Sequence, residues 1–318
     1  MKHPSDPALG ASCVAIFVIS TAFRDVYLGG IFQSVNVFVV LLVAFGIATG
    51  TGLGLAWCRG GSFRPLIQAP MDVLMMNLTT SGAWISYFFA LKFLEPSIVN
   101  TLFAGIGPFV IMAMRAIGQP IARSNPSAAA QKILQAGVIG SLIALIWIVA
   151  TGRSGFQNPD PLAAIGSAGL ALLAGSLITI SHLYGKRLDR AGAAPDALVG
   201  TRFVGILVMA CVVIGVEGPG EIVPPAIDLL RLAGAAALLI VAPVFFNQIG
   251  MAKLNPLSAR IITAFGPALV FVLQQADDRI AWSTETLIAI VAYSGLVTAA
   301  NLSQGMRHHH RINGTRRA

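Results

Sequence analysis

The 318 residues are 56% hydrophobic and only 11% charged, less than half the roughly 25% charge of a soluble domain, and the mean hydropathy is +0.78. That composition excludes a water-soluble globular protein and an intrinsically disordered chain. The net charge of +8 does not mark a nucleic-acid binder, because many of the cations sit in short segments between apolar runs and at the C-terminus.

A helix crossing the roughly 30 Å hydrocarbon core needs about 20 mostly apolar residues. Taken along the chain, that length predicts ten spans, at 9–28, 35–57, 72–93, 97–115, 133–151, 162–184, 197–216, 228–251, 257–275 and 285–305. The expected fold class is an all-α membrane protein. The first run follows Lys2 and only superficially resembles a signal peptide; equally long runs follow, so it reads as a retained span. The connections Arg59–Pro65, Gly118–Pro126, Gly152–Pro161, Lys186–Pro195 and Gly218–Pro225 combine Gly or Pro with charge, as segments outside lipid do. Two connections are short, Leu94-Glu95-Pro96 and Lys253-Leu254-Asn255-Pro256, and proline at the first turn of the next helix suits such reversals.

Ten spans place both termini on one side. On that side lie fourteen lysines and arginines, against five on the other (Arg24, Lys92, Arg153, Arg231 and Arg279). The bias predicts cytoplasmic termini in a multi-pass protein of the cytoplasmic (inner) membrane. Cys13, Cys58 and Cys211 are far apart and read as packing residues rather than a disulfide or metal set.

Residues 88–108, FFALKFLEPSIVNTLFAGIGP, are echoed by residues 245–267, FFNQIGMAKLNPLSARIITAFGP. Glu95-Pro96 matches Asn255-Pro256 at an offset of 160, Asn100 falls on Arg260, and Tyr87 falls on Asn247. Gly107-Pro108 answers Gly266-Pro267 after a one-residue slip. Each half holds five spans, an odd number, so the second half enters the membrane from the opposite side: two inverted five-helix repeats, the architecture of many secondary transporters. The expected organisation is an N-terminus at 1–8, a first repeat at 9–151, a linker at 152–161, a second repeat at 162–305 and a basic cytoplasmic tail at 306–318.

At these strings, LEPSIVNTLFAGIGP at 94–108 and LNPLSARIITAFGP at 254–267, the chain resembles the EamA-type drug/metabolite transporters over roughly residues 10–305. TRFVGILV at 201–208 is similar to the Arg-Phe string that opens the second span of many family repeats, with Arg202 as its arginine. The first half departs from that pattern: Phe45 has no arginine before it, and no acidic residue stands near 120–132. The resemblance implies a ten-helix carrier of small organic molecules, mostly exporters, with a central cavity.

The third span carries the most informative face. Asn77, Ser81, Trp84 and Phe88 form one stripe, with Thr80 and Tyr87 at its margin. Such a stripe is either a cavity wall that stacks planar or apolar groups, or a packing seam with Asn77 as interhelical glue. Asn247, with adjacent Gln248, is the repeat partner of Tyr87 and belongs to the same candidate binding set. Asn100 and Arg260 lie one turn inside their helices. Arg260 either snorkels to the interface or holds an anion, and Arg24-Asp25 poses the same choice. Consecutive helical residues do not face each other, so Arg24 and Asp25 are not expected to pair. His182, close to Tyr184, is either a proton carrier or a packing residue. Every acidic residue is expected in a connection or near a span end, which argues against neutralising a cation at mid-depth.

These residues support a secondary carrier exporting an amino acid or amphipathic compound that is neutral, zwitterionic or anionic, by alternating access. The expected partners are that small-molecule substrate, the lipid bilayer and, as a coupling ion, the proton. A facilitative importer and a non-transport scaffold subunit are the alternatives. An intramembrane enzyme is disfavoured, because Ser181 and His182 are adjacent and badly placed for nucleophilic catalysis; no catalytic residue, metal or cofactor is expected. Gly46, Gly50 and Gly54 form a small-residue strip for close approach inside the monomer or for a homodimer. Pro108, Pro243 and Gly266-Pro267 are expected to kink or break their helices.

Overall fold

A computed structural model describes residues 7–118, 129–157, 160–217, 226–254 and 256–315. The predicted breaks at 119–126 and 218–225, and Asn255, lie outside the described residues. Among the described residues regular structure is helical, apart from an isolated antiparallel bridge between Phe156 and Ile280. Nine helical stretches among them are long and apolar enough to cross a membrane. Large apolar side chains such as Trp57, Ile67, Trp147, Leu162 and Val216 are exposed, an outer surface that suits lipid and not water.

The elements in order are α1 (Pro7–Ile31), α2 (Val37–Cys58), a short α3 (Arg64–Gln68), α4 (Pro70–Phe93), α5 (Pro96–Gly105), α6 (Gly107–Ala116), α7 (Ala129–Ala150) and α8 (Pro161–Arg190). There follow α9 (Pro195–Arg202), α10 (Val204–Glu217), α11 (Ala226–Ala236), a π-helical turn (Ala237–Val241), α12 (Ala242–Lys253), α13 (Pro256–Ala264), α14 (Gly266–Leu273) and α15 (Thr284–Thr315). Helix α4 has the length of a span but carries Asn77, Thr79, Thr80, Ser81 and Ser86 and is not among the nine.

The local sequence sets the ends. Asn36 caps α2, its side chain accepting from the Phe38 N–H at 2.8 Å, and Asp160 caps α8 ahead of Pro161. Gly152 and Gly192 end α7 and α8 at φ of +67° and +90°, a backbone conformation that lets the next N–H turn back onto the final turn.

Three long helices are interrupted. Ile106 separates α5 from α6 and Phe265 separates α13 from α14. In both places the Gly-Pro that follows explains the break, since proline has no N–H to donate and its ring displaces the carbonyl four residues back. The π-helical turn stands just before Pro243, a related adjustment. The third break, at Phe203 between α9 and α10, has no proline near it and was not expected.

The main helix pairs are α4 on α8, α1 on α12, α2 on α9 and α7 on α15. The first broken helix packs on α8 through α5 and α6, and the second packs on α1 through α13 and α14. Glycines permit the close crossings: a Cβ on Gly175 would lie 2.2 Å from the Phe103 carbonyl, and one on Gly250 2.6 Å from Val14 Cγ2. The predicted strip at Gly46, Gly50 and Gly54 does not play that part inside the monomer. Nothing lies within 4 Å of a Cβ at Gly50 or Gly54, and at Gly46 only Leu207 comes within 4.0 Å. The close α2–α9 contact is made one helical face away, by Gly52 against Gly200, where a Cβ on Gly52 would sit 2.5 Å from the Gly200 nitrogen. Gly52→Val is therefore expected to lower the thermal unfolding midpoint through overpacking worth about 1–3 kcal/mol, while Gly50→Val leaves it unchanged. Equal effects of the two would contradict this helix register.

Candidate functional site

Asp25 is fully buried in α1, six residues before its end, which at 1.5 Å per residue is roughly 9 Å inside. Every acceptor position of its carboxylate is used. Oδ1 accepts from Arg24 Nε at 2.9 Å and Arg24 Nη2 at 2.7 Å. Oδ2 accepts from the Tyr87 hydroxyl at 2.7 Å and from Asn100 Nδ2 at 2.8 Å. The Arg24 guanidinium also lies over two rings, 5.2 Å from the centre of Trp84 and 5.6 Å from that of Tyr87. Three helices, α1, α4 and α5, are thereby joined at one level by charge-assisted bonds.

Two expectations are corrected here. Arg24 and Asp25 do pair: consecutive positions diverge around a helix, but the long arginine side chain folds back far enough to reach its neighbour. And one carboxylate does lie within a helix bundle, because α1 runs to Ile31 rather than stopping near residue 28.

The predicted stripe on α4 divides by depth. Asn77 is a packing bridge: its Oδ1 accepts from the Gly205 N–H at 2.9 Å, and its Nδ2 donates to the Val73 carbonyl at 3.0 Å. The break at Phe203 supplies that free N–H, so the Asn77 side chain replaces a lost helical bond. The Ser81 hydroxyl donates to the Asn77 carbonyl at 2.7 Å. Farther along, Trp84 is half-buried and tilts against Phe45, which in turn contacts Phe203. Phe88 is fully buried among Phe32, Phe45 and Trp84, a place in the core and not on an open wall.

Near the middle of α4 the hydroxyls of Thr80 and Ser181 bond to each other. Ser181 also accepts from Arg202 Nη2 at 3.3 Å. Arg202 Nε is enclosed without a hydrogen-bond partner. His182 is exposed on α8, within the electrostatic reach of both Arg202 and Lys186. Tyr184 is half-buried with the Arg187 guanidinium 5.0 Å over its ring.

A second buried carboxylate, Glu95, stands in the connection between α4 and α5. Its Oε1 accepts from Ser97 Oγ at 2.9 Å and from the Gln274 amide; its Oε2 accepts from the Gly155 N–H at 2.9 Å and Thr286 Oγ1 at 3.3 Å. Gln274 returns a bond by accepting from the Ser97 N–H at 3.0 Å. Beside it the connections at 150–160 and 276–284 are stitched by Ala281 N–H to the Gly155 carbonyl (2.6 Å), Gln157 N–H to the Arg279 carbonyl (3.1 Å) and Ser283 Oγ to the Arg153 carbonyl (2.8 Å). Glu95 thus clasps segments from both halves at one end of the bundle.

Of the predicted residues, Tyr87, Trp84 and Asn100 come together around Arg24 and Asp25, and Asn77 and Ser81 meet near Gly205. Asn247 is half-buried on α12, and Arg260 is exposed on α13, so the repeat offset from Asn100 to Arg260 does not put the two in one environment. Gln248 lies in α12, with its side chain outside the described residues. A groove of about 470 Å³ between α7 and α15, lined by Gly137, Ser141, Ala144, Ile148, Glu285, Ile288 and Ala292 among others, involves none of the predicted residues. Glu95 is the site residue that sequence reasoning passes over, because it reads as part of a short connection; Arg24 and Asp25 enter the sequence reading as a choice between snorkelling and anion binding, and Arg202 through the resemblance, without being placed in the binding set. For those three the signal is a charged side chain inside an apolar run, a functional candidate by default.

Burial pushes the Glu95 carboxyl above its ordinary value of 4.5, against the opposing pull of its four hydrogen-bond donors. The folded protein therefore holds the Glu95 proton more readily than the unfolded chain. This contribution to stability is fully present at acid pH and fades as pH rises through the raised pKa. The unfolding midpoint is expected to fall between about pH 5 and about pH 8 by less in Glu95→Gln than in the unaltered protein; identical slopes would contradict this role.

No protein-family model matches the chain, and no curated protein matches it. One solved structure, described only as the crystal structure of a protein, is similar over 95% of this chain and 99% of its own, with a TM-score of 0.61 at 18% identity. That likeness is one of fold.

Proposed function

We propose that the protein is a secondary-active carrier, of the EamA drug/metabolite type, that moves a small organic metabolite out across the cytoplasmic membrane by alternating access. The observation that carries this reading is the exchange of helix partners between the halves. The α4–α8 pair, a first-half helix on a second-half helix, has its counterpart in α12–α1, a second-half helix on a first-half one, and the packing of α5 and α6 on α8 has its counterpart in α13 and α14 on α1. The α2–α9 and α7–α15 pairs map onto themselves under the same exchange. A two-fold relation between halves of odd span number requires opposite threading, with α4 as the tenth crossing element and both termini cytoplasmic, as the positive-charge bias favours.

The breaks support the same reading. Interrupted helices at membrane depth are tolerated where they face protein or a water-filled space. Here Gly107 lies against Thr179 of α8, and Gly266 lies against Asn100 and Val18, so each break faces the bundle. Trp84 is the aromatic residue of the α4 stripe that remains partly open. It offers a flat surface to substrate beside the polar groups of Arg24 and Asn100. Transport direction is set by the gradient and coupling ion, the proton being the ion proposed.

The test is a comparison of metabolites released by cells with and without the gene, followed by counterflow of the candidate compound in liposomes. Trp84→Ala is expected to lower flux about tenfold, the equivalent of losing one aromatic contact of about 1–1.5 kcal/mol, with folded protein retained. Absence of any released metabolite and of counterflow would overturn the carrier reading.

A further inference from the structure

The charges inside the bundle do not balance. Both Asp25 oxygens are filled, and its charge is matched by Arg24. Arg202, at the break between α9 and α10, has no carboxylate within ion-pair distance among the described residues. Its Nη2 reaches a neutral hydroxyl, and its Nε is enclosed with no partner. The other charges acting on this corner are also basic: Lys186, and His182 when protonated. An uncompensated guanidinium in a low-dielectric interior is expensive, and where membrane proteins keep one it serves an ion or a substrate.

Arg24 supplies a second cationic edge. Its Nε and Nη2 turn to Asp25 and its face is covered by Trp84 and Tyr87; Nη1 bonds to none of the described residues and is not fully enclosed. The two arginines stand along the same helix. Arg202 meets α4 through Ser181 and Thr80, whereas Arg24 meets it at Trp84 and Tyr87. Four to seven residues at 1.5 Å each separate these levels by roughly 6–10 Å. A chain of ring contacts, from partly open Trp84 to buried Phe45 and Phe203, runs between them with ring centres 5.1 and 4.7 Å apart.

We infer that the substrate is an organic oxyanion with a flat apolar body. Its anionic group is received by Arg202 and passed to Arg24, while its body lies on Trp84. Guanidinium forks recognise carboxylates and phosphates alike, and a benzene-sized ring spans the interval between the two stations. This inference rests on the carrier reading and narrows it, since amines and neutral compounds meet no complementary charge on this path.

The experiment measures thermal unfolding of the full chain in lipid nanodiscs at low salt. The probes are phenylacetate, phenyl phosphate, phenylacetamide and phenethylamine. Phenylacetate, phenyl phosphate or both are expected to raise the midpoint, and the relative response separates a carboxylate preference from a phosphate preference. The amide and amine are expected to have no effect. Arg202→Gln is expected to raise the ligand-free midpoint, because a buried unpaired charge is removed, and to weaken oxyanion binding at least about tenfold; Arg202→Lys retains part of it. Arg24→Gln combined with Asp25→Asn keeps the network neutral and is expected to weaken binding as well. Stabilisation by the amine or amide alone, no response to either oxyanion, or undiminished oxyanion binding in Arg202→Gln would overturn the inference. Flux of the same probes in liposomes separates the two readings. Oxyanions that bind but never cross count against the carrier alone, and an amine that crosses while oxyanions do not bind counts against the oxyanion site alone.

Discussion

The requirement that every charge within the bilayer find its partners inside the protein organises the first half of this molecule. Asp25 has no water to turn to, and its four hydrogen bonds come from α1, α4 and α5. Displacing any one of these helices at that level would strand part of a carboxylate, and breaking a buried pair typically costs about 3–5 kcal/mol. The Arg24 ring contacts add orientation to the charge, since a guanidinium lying on Trp84 and Tyr87 has only its edges left for other partners. This one constraint produces a rigid corner that carries a tryptophan face and a spare cationic edge.

The Glu95 clasp is of a different kind. Its donors are an amide N–H, a glutamine and two hydroxyls, with no cation among them, and they come from four separate segments of the chain. Such a knot holds the ends of the two halves together while remaining separable piece by piece. On the carrier reading, the clasp is the closure of one side of the bundle, and Arg202, which meets the middle of α4 with no carboxylate partner among the described residues, is the charge that a solute meets from the other. The breaks at Ile106, Phe203 and Phe265 are then the places where helices bend without losing a run of backbone bonds.

Much of the helix layout was legible because lipid imposes a simple rule of length and apolarity, and because proline and glycine punctuate the ends. Pro70, Pro96, Pro161, Pro195 and Pro256 each open a helix, and the two Gly-Pro pairs stand at two of the three breaks. The break at Phe203 was not legible, since no residue there forbids a helix; it depends on the Asn77 side chain on another helix taking the Gly205 N–H. Site residues on α4 stood out by their polarity against an apolar background. Asp25 did not, because helical phase separates it from Arg24, and phase says nothing of how far an arginine side chain can reach. Glu95 reads as part of a short connection, and only the meeting of distant segments around it makes its burial intelligible. The glycine strip on α2 is a place of small residues, but the close contact lies on the neighbouring face, a distinction that composition alone does not resolve.

The central claim is that two halves of one bundle exchange access by parting at the Glu95 end. The most direct measurement is the distance between spin labels placed at the exposed positions Phe93 and Trp282, in nanodiscs, with and without transported solute. The account predicts two populations, one matching the clasped arrangement and one longer, with the longer enriched in Glu95→Ala. A single narrow distance that neither solute nor loss of the clasp alters would contradict it.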